Sequence, residues 1–194
     1  ENDAIVYIKG SDVEIYHSVI SGNQSSAGII YTDTQGKLLL VNCTITGNLT
    51  EVQGAGLYLG GYAENNVFNS IIYNNSGDQV SKIGDFNALN MFNSNIEDES
   101  YRDESDENYY FNSLYLELDD YLQVGVNPMF VVPIEPGLSM EGDFNLMDAS
   151  PCINSGLASF IDSEDNELFN FELVTGNGYS GCAPDMGAYE SLDE

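Results

Sequence analysis

The sequence predicts an all-β chain: a single-stranded right-handed parallel β-helix that ends in a C-terminal cap. Three observations lead to this fold class: a repeat with a period in the twenties, apolar residues at alternate positions within each repeat, and no helical stretch between the repeats. Such periods are typical of solenoids, in which each coil buries its apolar side against its neighbours. Leucine-rich repeats have a similar period, but their LxxLxLxxN pattern is missing.

Four segments carry the repeat and align without gaps, and they begin at Val13, Leu38, Asn65 and Leu89. Alternation within short strands places every second residue on the inner face of the coil. One predicted apolar column contains Ile15, Leu40, Val67 and Met91, and a second contains Ile20, Ile45, Ile72 and Ile96. A column of small residues contains Ser18, Cys43, Ser70 and Ser94.

Polar residues mark the turns of each coil. We call the first set the bend column; it consists of His17, Asn42, Asn69 and Asn93. Asparagine tolerates a left-handed backbone and bonds its own local backbone, which suits a sharp bend. The following turn carries Asn23, Asn48 and Asn75, whose stacked amides are expected to hydrogen-bond from coil to coil.

We expect three parts along the chain. Residues 1–98 form the coils, residues 99–126 form an acidic insertion that leaves room for a further strand, and residues 127–194 form the final strand and the cap. The cap is expected to cover the last apolar face of the stack. Because the first coil begins in register with no cap before it, further upstream coils of the same polypeptide are expected.

The charge excludes several partners. The chain has 32 acidic against 4 basic residues and a formal net charge of −28. Nucleic acid is excluded because phosphate binding requires Lys and Arg, and an anionic membrane surface is disfavoured for the same reason. No apolar run approaches the roughly 18 residues of a membrane span. The acidic surface fits either simple solubility or bound Ca²⁺.

The C-terminal residues carry a family resemblance. The segments NPMFVVP from Asn127, GDFNLMDASPCINSG from Gly142 and DMGAYE from Asp185 resemble the tail of secreted bacterial pectin-lyase-like repeat proteins of the choice-of-anchor Q type. The resemblance spans residues 13–75 as repeats and 127–190 as tail, and it implies a β-helix that is secreted or displayed at the cell surface. It implies no particular activity, since the fold hosts lyases, hydrolases and adhesins.

Export permits disulfides, so we expect Cys152 and Cys182 to pair and stabilise the cap by roughly 3 kcal/mol. Cys43 lies in the small-residue column and is expected to remain a buried thiol. An odd number of cysteines without a CxxC pair argues against zinc.

No catalytic residue is predicted. A lyase of this fold needs a basic residue as its base, but the candidates do not cluster in the repeat frame; they are Lys9, Lys37, Lys82 and Arg102. His17 fits a bend better than catalysis, because its column is otherwise asparagine. Asp119 and Asp120 offer a carboxylate pair such as glycoside hydrolases use, but they lie outside the repeats.

Calcium is the expected cofactor if there is one. Asp162, Asp165 and Glu167 place hard oxygen ligands on one short loop, which suits Ca²⁺. A similar cluster consists of Asp103, Asp106 and Asn108. A solvated acidic loop is the alternative at both places.

Tyr7, Tyr31 and Tyr58 recur with the repeat and are expected to form an outward column. Such a row either stacks on sugar rings or only stiffens the sheet. The leading hypothesis is a non-catalytic extracellular module that binds polysaccharide or a cell-surface glycan. The alternatives are the C-terminal part of a polysaccharide lyase or glycoside hydrolase, and a structural adhesin stalk.

Overall fold

The computed structural model describes residues 3–51, 54–60, 64–83, 88–97, 122–137, 139, 141–162, 164–176 and 178–191. Over these residues the chain is nearly all β, and its parallel strands stack into a solenoid of about 3 turns. The predicted parallel β-helix is thereby confirmed.

Three parallel sheets form the walls of the solenoid. The first sheet contains β1 (Val6–Lys9), β5 (Ile30–Asp33), β9 (Leu57–Gly60) and β12 (Val80–Ile83). The second sheet contains β2 (Asp12–Tyr16), β6 (Lys37–Val41), β10 (Glu64–Phe68) and β13 (Ala88–Phe92). The third sheet contains β3 (Val19–Ser21), β7 (Thr44–Thr46), β11 (Ile71–Tyr73), β14 (Ser94–Ile96) and β15 (Leu122–Val124). The short strands β4 (Gln24–Ser25) and β8 (Leu49–Thr50) also pair in parallel.

The interior is filled by the predicted apolar columns. Leu40, Val67, Ile45 and Ile72 are fully buried in one cluster. Complete burial of such a side chain contributes roughly 1.5–3 kcal/mol. The first-coil residues of the same columns are only partly buried, because β1, β2 and β3 each lie at a sheet edge.

The turns follow the predicted chemistry. All members of the bend column have positive φ, between 44° at His17 and 51° at Asn42. The second set forms what we call the asparagine ladder. Asn23 Nδ2 donates to Asn48 Oδ1 at 3.0 Å, and Asn48 Nδ2 donates to Asn75 Oδ1 at 2.8 Å. Asn75 Nδ2 continues to Gln79 Oε1 at 2.7 Å, so one amide row runs along the solenoid.

The C-terminal segment, residues 122–191, begins with β15 and then leaves the parallel sheets. It contains the antiparallel pairs β16 (Phe130–Val132) with β17 (Asp143–Leu146) and β18 (Ser159–Ile161) with β19 (Glu167–Asn170). A single-turn helix, α1 (Phe171–Thr175), follows and ends at Gly176 in the left-handed conformation.

This segment packs along the side of the solenoid. Asn42 Nδ2 donates to the Asp185 carbonyl, Asn69 exchanges two bonds with the Leu157 backbone, and Asn93 Nδ2 donates to the Ser155 carbonyl. The sequence predicted contact with the last apolar face, whereas the segment contacts several successive coils. The physical reason is that the bend column offers its amides along the flank.

Outward apolar side chains of the solenoid complete this interface. Phe68 and Phe92 of the second sheet stack at 5.2 Å and are covered by Phe160 and Phe169. On the third sheet, Ile71 of β11 packs in a second cluster with residues of the C-terminal segment: Phe130, Ile134, Phe144, Cys152 and Met186. The C-terminal segment therefore belongs to the same folded unit as the coils.

Candidate functional site

The three tyrosines lie in register on the outer face of the first sheet. Tyr7 pairs with Tyr31 across β1 and β5, and Tyr31 pairs with Tyr58 across β5 and β9. Their ring centroids are 5.4 Å and 5.1 Å apart, with planes tilted by 50° and 55°. These spacings are close to the strand separation of about 4.8 Å, as in-register parallel pairing requires. We call Tyr7, Tyr31 and Tyr58 the tyrosine ladder.

A carboxylate stands beside the ladder. Tyr7 Oη donates to Asp33 Oδ2 at 2.6 Å, and Lys9 Nζ lies 3.3 Å from the same oxygen. The other oxygen of Asp33 accepts from the backbone nitrogen and the hydroxyl of Thr34. These hydrogen bonds hold the pKa of Asp33 below its usual range; the bond from Tyr7 has the largest effect, and the bonds from Thr34 come next. Asp33 is therefore ionised at neutral pH, and its bond raises the pKa of Tyr7.

Two glycines leave the space in which the side chains of Tyr31 and Tyr58 lie close to neighbouring strands. A Cβ on Gly60 would lie 2.8 Å from Cε2 of Tyr31, and a Cβ on Gly28 would lie 2.7 Å from Cβ of Tyr58. Side chains at these positions would push the rings away. Tyr31 and Tyr58 are half-buried, whereas Tyr7 is 43% exposed. The ladder is thus an ordered aromatic strip with one charged edge.

Sequence reasoning found the rings but missed Lys9 and Asp33 as their partners. Both residues follow a ladder tyrosine by two positions, so alternation places them on the same face. The period of the repeat could have predicted that Lys9 and Asp33 lie side by side, because they occupy equivalent positions and pair in register.

The acidic loop at 162–167 is organised by its own hydrogen bonds. Asp162 Oδ1 accepts from the backbone nitrogens of Glu164 and Asn166 at 2.8 and 2.9 Å, and Asn166 Nδ2 lies 3.0 Å from Asp162 Oδ2. The bond from the Asn166 side chain is the main cause of the lowered pKa of Asp162. Within the described residues no group of three or more His, Cys, Asp or Glu could hold a metal ion. The Ca²⁺ site at Asp162, Asp165 and Glu167 stays a prediction without a ligand set.

The predicted disulfide is absent from the structure, in which Cys152 and Cys182 are free thiols. Cys152 Sγ is buried against the third sheet, 3.5 Å from both Asn95 Nδ2 and Gln123 Oε1, whereas Cys182 is exposed. The two side chains therefore occupy different environments. Burial raises the pKa of Cys152 to about 12 and that of Cys43, buried as predicted, to about 11.

Several other candidates can be placed only in part. His17 occupies its predicted bend, and Lys37 lies exposed at the start of β6. The remaining candidate residues lie outside the described residues; they are Arg102, Asp103, Asp106, Asn108, Asp119 and Asp120, together with the side chain of Lys82.

Comparison with family models, with curated proteins and with solved structures finds no match. The resemblance to the choice-of-anchor Q tail therefore stays a prediction. In the part of the chain that the structure describes, no helix has the length and apolar character needed to cross a membrane.

Proposed function

We propose that this chain is a non-catalytic β-solenoid module of a secreted or cell-surface protein and that it binds polysaccharide through the tyrosine ladder. The observation that carries the proposal is the in-register row of three tyrosine rings on an outward sheet face, 5.4 and 5.1 Å apart. The extracellular location rests on the resemblance of the tail.

A row of aromatic rings suits a chain-like ligand. Tyrosine combines an apolar ring face, on which a sugar ring can stack, with a hydroxyl that hydrogen-bonds. The ladder runs along the solenoid axis, because each ring comes from the next coil. A glycan chain lying across the strands would meet one ring per coil.

The ladder is ordered before any ligand arrives. Each ring is packed against its neighbour, and Gly28 and Gly60 allow the close approach of Tyr58 and Tyr31 to the strands. Ordering side chains upon binding typically costs about 0.5–1.5 kcal/mol for each. A preformed row avoids part of that cost.

Charge narrows the class of glycan. The net charge of −28 opposes polyanionic glycans, so the expected ligand is a neutral polysaccharide. Asp33, beside Tyr7, supplies an ionised acceptor for sugar hydroxyls, and hydrogen bonds to charged groups are stronger than neutral ones. Pectate-like polymers are disfavoured on the same argument.

The proposal is tested by screening the chain against a panel of neutral and acidic polysaccharides, followed by calorimetry on the best ligand. Tyr31→Ala should weaken binding about fivefold, because one stacking contact contributes on the order of 1 kcal/mol. Tyr189→Ala is the control for Tyr7→Ala, since Tyr189 is 44% exposed and Tyr7 43%, and Tyr189 lies outside the ladder.

Equal affinity of the parent, Tyr7→Ala and Tyr31→Ala would exclude the ladder as the site. An absence of binding across the panel would favour the stalk alternative. New reducing ends or unsaturated products released from any polysaccharide would favour the enzyme alternative.

A further inference from the structure

A cleft lies between the first coil and the C-terminal segment, apart from the tyrosine ladder. It has a volume of about 440 Å³, and its walls include Tyr16 and His17 from the first coil and Phe171, Val174 and Glu190 from the C-terminal segment. The Phe171 ring meets the His17 imidazole edge-on at 5.3 Å. This contact joins α1 to the solenoid.

His17 interrupts the bend column at this place. Asn42, Asn69 and Asn93 each use a side-chain amide to bond the backbone of the C-terminal segment. Hydrogen bonding to the Ala188 backbone partly offsets the effect of burial, which lowers the pKa of His17. The ring nitrogen Nε2 is buried and has no hydrogen-bond partner among the described residues. An asparagine would serve the bend and the backbone bond equally well, so Nε2 is the feature that histidine adds.

The Glu190 carboxylate likewise has one buried oxygen without a hydrogen-bond partner among the described residues. Its Oε1 accepts from the backbone nitrogen of Asp185 at 3.0 Å. Its Oε2 is buried and without a partner in the described part of the chain. No ion pair joins His17 and Glu190 there either, so a charge on one would not be neutralised by a direct contact with the other.

Among the described residues around the cleft, none supplies a counter-charge to His17 or Glu190. The carboxylate of Asp185 accepts from the backbone nitrogens of Asn154 and Ser191, and it disfavours ionisation of Glu190. The Tyr16 hydroxyl donates to the exposed Glu14, and burial raises the pKa of Tyr16 to about 12. On α1, Glu172 is exposed to solvent. A buried charge without a partner costs free energy, and movement into water relieves that cost.

We propose that this junction is a proton-controlled latch: α1 stays docked on the first coil while His17 and Glu190 are both uncharged, and it loosens when either becomes charged. Charging of His17 would favour opening as the pH falls, and charging of Glu190 would favour opening as the pH rises. Opening would expose the apolar walls at Phe171 and Val174.

The direction of each pH limb follows from linkage. Burial lowers the pKa of His17 below 6.5, so docking is lost as pH falls from about 6.5 through the folded-state pKa. Burial raises the pKa of Glu190 from 4.5 to about 7, so docking weakens as pH rises from about 4.5 and is weakest above 7. Between about pH 4.5 and 6.5 the two contributions have opposite signs and offset each other. The Glu190 contribution therefore dominates in the parent, and the His17 contribution becomes visible when Glu190 is replaced by an uncharged residue.

Hydrogen exchange of residues 171–176 and 188–191, expressed as protection factors, tests the latch at about pH 5, 6.5 and 8.5. In the parent the two contributions offset each other between pH 5 and 6.5, and protection should fall at least about twofold from pH 6.5 to 8.5. His17→Asn should leave only the Glu190 contribution, so its protection should fall roughly tenfold or more from pH 5 to 8.5, a larger change than in the parent. Glu190→Gln should leave only the His17 contribution, so its protection should fall from pH 6.5 to 5 and stay level above pH 6.5, whereas Glu172→Gln on exposed α1 should keep the profile of the parent.

Flat protection from pH 5 to 8.5 in His17→Asn, or the same pH profile in His17→Asn and Glu190→Gln, would overturn the latch. The chain has a single histidine, so its imidazole resonance is assigned without ambiguity. A titration midpoint below 6.5 in the parent supports the acid limb. A midpoint at or above 6.5 contradicts it even if a variant fails to fold.

Discussion

Replacing Asn48 with alanine removes the middle of the asparagine ladder. Asn48 is fully buried, and its amide makes four hydrogen bonds. Oδ1 accepts from the backbone nitrogen and from Nδ2 of Asn23, and Nδ2 donates to the Ile20 carbonyl and to Asn75 Oδ1. A net contribution of about 1 kcal/mol for each bond predicts a loss of about 4 kcal/mol in the free energy of unfolding.

Asn23→Ala is the matched control. Asn23 is half-buried at the first rung, and its side chain donates to the Ser21 carbonyl and to Asn48 Oδ1. Two bonds at a partly exposed site predict a loss of about 1–2 kcal/mol. Urea unfolding of the parent and both variants measures the difference. A loss for Asn48→Ala no greater than that for Asn23→Ala would refute the view that the buried amide row stabilises the stack.

Two further predictions concern the C-terminal segment. Phe68 is fully buried against Phe92, Phe160 and Phe169, so Phe68→Ala should lower the free energy of unfolding by about 3–5 kcal/mol. Phe160 is only half-buried, so Phe160→Ala should lower it less. Equal losses for the two variants in denaturant unfolding would contradict the prediction that Phe68 anchors this interface. A thiol reagent should modify only Cys182 in the native protein at neutral pH, because Cys43 and Cys152 are buried. After unfolding without reductant, it should modify all three cysteines. A single reactive thiol after unfolding would instead reveal a disulfide between Cys152 and Cys182.

The repetitive part of the fold could be predicted because each coil repeats the same pattern of apolar and turn-forming residues. Alternating apolar residues specify which face points inward, and asparagine at equivalent positions specifies the left-handed bends. The positive φ values of Asn42, Asn69 and Asn93 and the ladder through Asn48 follow from that period. The tyrosine ladder follows from it too.

The arrangement of the C-terminal segment could not be predicted in this way. Its contacts join residues distant in sequence, such as Asn69 with Leu157, and no period relates them. Cysteine spacing could not reveal that Cys152 faces the third sheet. The meeting of His17 with Phe171 and Glu190 depends on the same path of the chain over the flank. The histidine that breaks the asparagine column was the one sequence signal for it.

The central claim, that the tyrosine ladder binds polysaccharide, is tested most directly by NMR of the chain with ¹³C-labelled tyrosine rings. The 13 tyrosine signals would be assigned by single Tyr→Phe variants and followed during titration with the tightest-binding polysaccharide of the panel. We expect saturable shifts of the Tyr7, Tyr31 and Tyr58 ring signals, while those of Tyr179 and Tyr189 on the C-terminal segment stay in place. Unchanged ladder signals in the presence of a bound polysaccharide would contradict the account.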